Sequence, residues 1–247
     1  MMDIKEKISV IMPAFNEAEV IERNILETID TFKRFNLDFE IIVIDDGSTD
    51  DTLQKIKNIS EKFTNVKVTR NMENYGKGRA LKKGFRLATG QYVVFLDSDI
   101  DLHPAQIETF FDIMKLDNAD IVIGSKRHPN SVLNYPLQRK IISSVYFFLI
   151  KIMFGLPIKD TQTGLKLFKY EVLKRVFPKI VVKAFAFDLE VLVNAHRLGY
   201  KIAEAPVIID SKREFNRIGI YEIIEMWVDT MAIFYRMYIL KYYDKIG

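Results

Sequence analysis

Between Ile8 and Gly124 the sequence alternates short apolar runs with helical stretches, and this alternation leaves few folds open. Ile8–Met12 reads as a strand stopped by Pro13, and Asn16 with Glu19 three residues on reads as a capping-box start for a helix through Arg34. Strand-like runs recur at 39–44, 66–69, 92–96 and 120–124, separated by helical stretches at 51–62, 77–88 and 104–115. Strands joined by helical crossovers run parallel with both sheet faces covered. The chain is therefore expected to form an α/β, Rossmann-like, mostly parallel sheet.

Ligands bind at the carboxyl edge of such a sheet, where loops and helix N-termini converge. Two runs deliver acids to it: Tyr92–Leu96 leads into Asp97-Ser98-Asp99, and Phe39–Ile44 leads into Asp45-Asp46. Several carboxylates on one edge suit a hard divalent cation that holds a diphosphate. Acids at loop ends also serve as plain helix caps or solvated turns, and Asp45–Asp50 alone does not separate the two uses.

Beyond Gly124 the pattern changes. A very apolar helix is expected from Pro136 to Phe154, ended by Gly155 and Pro157. A loop at 159–164, a strand at 165–168, helices near 171–177 and 188–198, and an extended piece at 201–209 follow. From Ile220 to Tyr243, Ile220, Ile223, Ile224, Trp227, Val228, Met231, Phe234, Tyr235, Tyr238 and Ile239 recur at helical spacing, the mark of an amphipathic helix.

Charge is divided between the halves: residues 1–124 carry 16 basic and 22 acidic side chains, residues 125–247 carry 20 and 11. The acidic half suits a metal, and the basic half suits something anionic. No nucleic-acid motif accompanies the basic residues, so a membrane surface or a phosphorylated substrate is expected rather than nucleic acid. There is no cysteine, which excludes disulfides and thiolate metal sites. The longest uncharged apolar stretch, Ile141–Ile150, is about half of what a bilayer needs. Neither a spanning helix nor a signal peptide is expected, and the location expected is cytoplasmic, peripheral on the cytoplasmic face of the membrane.

Four motifs in order, Ser9–Glu17 (SVIMPAFNE), Val43–Asp50 (VIDDGSTD), Asn74–Ala80 (NYGKGRA) and the D-x-D at 97–99, resemble the family 2 glycosyltransferases of GT-A fold. Later ones, Gly124-Ser125-Lys126, Arg139–Ser143, Asp160–Phe168 (DTQTGLKLF) and Ala186–Glu190 (AFDLE), are similar to the polyprenyl-phosphate (dolichyl-phosphate) glucose and mannose synthases, and nearer to the glucose type. The resemblance runs from Ser9 to about Ile208. It departs at Lys126, where the family usually has arginine, and no membrane anchor of the kind many relatives carry is expected.

What the resemblance implies is an inverting, Mg2+- or Mn2+-dependent transfer of a hexose from a nucleoside diphosphate-sugar, of UDP-glucose or GDP-mannose type, to a polyprenyl phosphate lipid. Asp99 is the implied main metal ligand with Asp97 and Asp101 beside it, and Asp97, Asp99, Asp160 and Asp188 are the implied catalytic acids. Pro13, Phe15, Glu17, Asp45, Asp46, Lys77, Asp97, Ser98 and Asp99 would line the nucleotide-sugar site. Lys126, Arg127, Arg139 and Ser143 would take the acceptor phosphate, and Glu190 would join Asp160 and Asp188 in shaping the sugar and acceptor side.

A phosphate nucleophile is already largely ionised at pH 7, its second pKa being about 6. No strong general base is therefore required, which agrees with the three histidines, none of them in a base-like constellation. His103 is expected in a loop or N-cap role. Residues 1–210 would form the catalytic domain and 211–247 a C-terminal amphipathic segment. The two apolar helices would lie in the membrane interface, with Trp227 and tyrosines 235, 238, 242 and 243 at headgroup level and Arg213, Arg217, Lys241 and Lys245 facing anionic lipid. The other use for such faces is a homodimer interface. Two further readings stay open: a soluble glycan or protein hydroxyl acceptor with Asp188 as base, and a nucleotide-sugar binding module without turnover.

Overall fold

The computed structural model describes residues 4–133, 137–183, 186–209 and 220–246; within these, the side chains of 133, 137–145 and 220–223 are not described. Strand β1 (Ile8–Ala14) lies between β2 (Phe39–Asp45) and β4 (Tyr92–Phe95), parallel to both, and β3 (Val66–Arg70) pairs parallel with β2 on its outer side. Beyond β4 stand β7 (Lys166–Lys169), β5 (Ile121–Ser125) and β8 (Ile202–Pro206), for an order of β3-β2-β1-β4-β7-β5-β8. β7 is antiparallel to both its neighbours, the one reversal in the sheet. β6 (Val132–Leu133) and β9 (Ile208–Ile209) form a separate two-stranded ladder that the sequence pattern did not announce.

Every residue of β2 is buried, as an internal parallel strand covered on both faces must be. Along β1 the side chains alternate: Ile11 enters one core while Val10 and Met12 enter the other. Helices α1 (Ile21–Arg34) and α4 (Ile107–Leu116) cover one face, α1 through the stripe Ile21, Ile25, Ile29 and Phe32. The opposite face is covered by α3 (Lys77–Phe85), α5 (Leu137–Phe154), α6 (Tyr170–Val176) and α7 (Phe187–Arg197). α2 (Thr52–Ser60) packs beside β3.

Several expected boundaries move. α1 begins at Ile21 rather than Asn16, because Asn16 adopts a left-handed φ of 53° and its Oδ1 accepts from Thr49 N at 2.9 Å, closing a turn instead of capping a helix. β1 continues past Pro13 to Ala14. The final helix is broken: α8 (Ile220–Phe234) runs into a π-helical turn at Tyr235–Ile239, Lys241 turns left-handed at φ 47°, and α9 (Tyr242–Lys245) follows. That break folds Tyr243 into the core beside Ile233 and Met237, so Tyr243 is buried and cannot sit at headgroup level. Arg213 and Arg217 lie outside the described residues.

Candidate active site

β2 and β3 extend the sheet to one side of β1 and β4 begins the other side, so the strand order switches at β1/β4, the place on the carboxyl edge where sheets of this kind bind ligands. The ends of β2, β1 and β4 bring Asp45, Phe15 and Asp97 to this edge. Phe15 is exposed there, with Pro13 half-buried and Glu17 buried behind it.

The acidic loop after β4 is held from below. Asn24 Nδ2 donates to the Ser98 carbonyl at 2.7 Å, and Asp101 N donates to Asp99 Oδ1 at 3.3 Å. Between them Ile100 adopts φ 42°, a conformation that a β-branched residue takes only under strain of about 1–3 kcal/mol. Burial, then the charges of Asp97 and Asp101 with a contribution from Glu17, push the Asp99 carboxyl up to about 6. Gly164 closes on Asp97: a Cβ at 164 would stand 2.7 Å from Asp97 Cγ and closer still to Oδ2.

Because β7 is antiparallel, its first residue meets this edge, with Lys166 opposite Phe95 of β4 and Ile123 of β5. Lys166 is buried, donates to the Thr163 carbonyl at 2.5 Å and pairs with Asp188 Oδ1 at 2.9 Å. Lys77, the first residue of α3, lies 2.5 Å from Asp97 Oδ1 and 3.9 Å from Asp188 Oδ2. Charges thus alternate along Asp97, Lys77, Asp188 and Lys166. Burial lowers the Lys77 pKa, but Asp97 and Asp188 outweigh it and the net direction is upward. For Lys166 burial wins over the Asp188 charge, helped by Lys77, and its pKa falls. Sequence reasoning gave Lys166 no role; the available signal was a charge set inside the apolar strand run 165–168.

The other expected residues divide into those on the edge and those that build it. Asp46 accepts from Asn71 Nδ2 at 2.6 Å, Tyr75 N at 3.2 Å and Gly76 N at 2.9 Å, so its oxygens fold the loop that carries Lys77 rather than stand open to a ribose or base. Asp45 accepts from Ser48 N at 3.2 Å; its second oxygen lies 3.2 Å from Arg70 Nε, an ion pair without hydrogen-bond alignment. Asp160 accepts from Lys126 N, Gln162 N and Thr163 Oγ1 at 2.9–3.0 Å, which makes it the tie between the Lys126 turn and the 159–164 loop. The Arg127 guanidinium lies 5.2 Å over the Phe147 ring of α5. Arg139 and Ser143 belong to the part of α5 whose side chains are not described.

Glu190 is buried and accepts from Val181 N and Val182 N at 2.9 and 2.7 Å, from the Tyr243 hydroxyl, and from Arg236 at 3.4 Å. It anchors the C-terminal segment to α7, two residues from Asp188. His103 accepts from Ala105 N at 3.1 Å as an N-cap and meets Glu27 at 3.0 Å.

Hard carboxylate oxygens on one loop, with Asp99 crowded by like charges, are a donor set that Mg2+ or Mn2+ would suit, with Asp97, Asp99 and Asp101 as the residues to hold it. Among the described residues no three acids are gathered into chelating positions.

The family described as "Glycosyl transferase family 2" matches residues 9–177. A dolichyl-phosphate beta-glucosyltransferase of Trichomonas vaginalis is 33% identical over 254 residues, covering 96% of this chain and 76% of that protein. One of Dictyostelium discoideum is 33% identical over 213 residues, covering 81% of this chain and 65% of that protein. Among solved structures, glucosyl-3-phosphoglycerate synthase from Mycobacterium tuberculosis, in complex with Mn2+, UDP-glucose and phosphoglyceric acid, superposes with a TM-score of 0.68 at 22% identity, over 93% of this chain and 79% of that one. At that identity the likeness is one of fold.

Proposed function

The chain belongs to glycosyl transferase family 2, and from that premise we propose that it transfers glucose, with inversion, from UDP-glucose to a polyprenyl phosphate of dolichyl type at a membrane surface. The observation that carries this reading is the alternating array Asp97–Lys77–Asp188–Lys166, joined through Asp160 to the Lys126 turn. A reaction that brings a diphosphate and a phosphate monoester together must offset their mutual repulsion, and fixed cations interleaved with carboxylates do so without loss of fold.

In this scheme Pro13, Phe15 and Glu17 line the nucleoside side, Lys77 takes the donor diphosphate, and Lys126 and Arg127, with Arg139 and Ser143 of α5, take the acceptor phosphate. A bound Mg2+ or Mn2+ at Asp97, Asp99 and Asp101 would supply Lewis-acid neutralisation of the departing diphosphate. The acceptor oxygen needs no deprotonation at neutral pH. Asp188 is engaged by two ammonium groups, which suits a positioning carboxylate better than a base for a sugar or protein hydroxyl.

The lipid half of the reading is supported by an apolar ridge. α5 and α8 pack together through Tyr146–Trp227 and Phe154–Phe234, and leave Phe148, Ile152, Ile224, Val228, Met231 and Tyr235 exposed along the outside. Lys151, Lys241 and Lys245, exposed nearby in sequence, match an anionic headgroup layer. Among the described residues no helix is long and apolar enough to cross a membrane.

Purified protein incubated with Mn2+, UDP- and GDP-sugars and a short polyprenyl phosphate is expected to form an acid-labile lipid-linked hexose, with UDP-glucose the best donor. Transfer to a soluble phosphate monoester at a higher kcat/KM than to the lipid would overturn the acceptor assignment.

A further inference from the structure

We propose that Lys77 is a built-in counter-ion for the acidic loop, one that gives up Asp97 to an arriving divalent metal and then turns to the donor's diphosphate. The inference deepens the reading above and rests on its donor half alone. Lys77 Nζ stands 2.5 Å from Asp97 Oδ1, on the carboxylate that a metal at this loop would need. The other oxygen of Asp97 lies in the space that a Cβ at Gly164 would fill.

The lysine has somewhere to go. Its side chain is one-third exposed, and Asp188 Oδ2, 3.9 Å away, is a second partner held in place by the buried Lys166. Behind Lys77 lies Gly76 at φ 91°, ψ 153°, a backbone conformation that glycine adopts without penalty. An ammonium and a divalent cation on the same carboxylate repel, so metal and Lys77 compete for Asp97. A diphosphate attracts both, which makes metal and nucleotide binding mutually reinforcing through this one side chain.

The consequence has an unusual sign. Lys77→Gln is expected to tighten Mn2+ binding in the absence of nucleotide, by roughly tenfold, while weakening UDP binding in the presence of Mn2+ by a similar factor. Both are read by calorimetric titration of Mn2+ and of UDP, with circular dichroism confirming the fold. Unchanged or weaker nucleotide-free Mn2+ binding in the variant, or none in either protein, overturns the proposal.

A measurement on the unmodified protein does not depend on the variant folding. Mn2+ alone should speed acylation of Lys77, read by mass spectrometry, and Mn2+ with UDP should protect it; acylation indifferent to Mn2+ overturns the proposal as well. Neither measurement contains a lipid or an acceptor, so a failed acceptor assignment leaves both outcomes standing.

Discussion

Lys166 Nζ and Asp188 Oδ1 lie 2.9 Å apart with side chains only 1% and 7% exposed, an ion pair almost sealed from water at the floor of the site. Removing one partner of such a pair leaves a buried charge with weaker compensation, here Lys77 at 3.9 Å. Lys166→Met is expected to cost about 3 kcal/mol in urea unfolding. Adding Asp188→Leu should restore part of it, which a merely steric effect of the new methionine would not allow.

Gly164 is not held by an unusual φ; steric contact alone forbids a side chain there. Gly164→Ala would push Asp97 out of line with Lys77 and with any metal. The expected result is a fall in kcat on the order of 10²-fold with a much smaller change in thermal midpoint, since misplacement rather than unfolding is the cause. A variant with normal kcat would show that Asp97 can move without consequence.

Acid sensitivity should be traced to Glu40, a carboxylate near the start of the buried strand β2. Burial alone raises its pKa, but Lys67 at 2.6 Å, Ser9 and Thr89 together bring it down to about 2 from 4.5. A lowered folded-state pKa means stabilisation that is complete above about pH 4.5 and disappears as pH falls toward 2. The amount is about 3 kcal/mol. Urea midpoints of Glu40→Gln should be lower at neutral pH and flatter across that window than those of the parent.

The α5–α8 ridge can be tested without touching the core. Val228 and Met231 are 61% and 52% exposed, so Val228→Glu with Met231→Glu should leave circular dichroism unchanged. Co-sedimentation with anionic liposomes should fall several-fold, and that of the parent should weaken at high salt. Deleting everything after residue 219 is a poorer test, because Ile233, Met237 and Tyr243 are core residues. If the double variant sediments like the parent, the ridge has another partner, such as a second copy of the chain.

The alternation from Ile8 to Gly124 was legible because parallel strands buried on both faces read as unbroken apolar runs, of which β2 is the plainest. The acids at the strand ends were legible for the same reason: once the strands are placed, their ends are too. Which acids stay open to a ligand was not, since Asp160 satisfies a backbone donor of its own loop and Asp46 those of the loop after β3, with the same chemistry a ligand would meet. The direction of β7 was not legible either. Four residues carry no sign of whether they run with or against their neighbours, and the burial of Lys166 follows from that direction. The break near Lys241 had no glycine or asparagine to announce it.

β4 and β5 do not pair with each other; each pairs with β7. In mechanical terms the sheet is two parallel slabs, β3-β2-β1-β4 and β5-β8, riveted by a single four-residue strand. The rivet begins at Lys166, at the edge where Asp97 and Asp188 also lie. On warming, the earliest partly open form is expected to keep both slabs and their helices while the edge at β1 and β4 loses the nearby Lys166 and Gly164. Inactivation would then run ahead of the loss of helical signal.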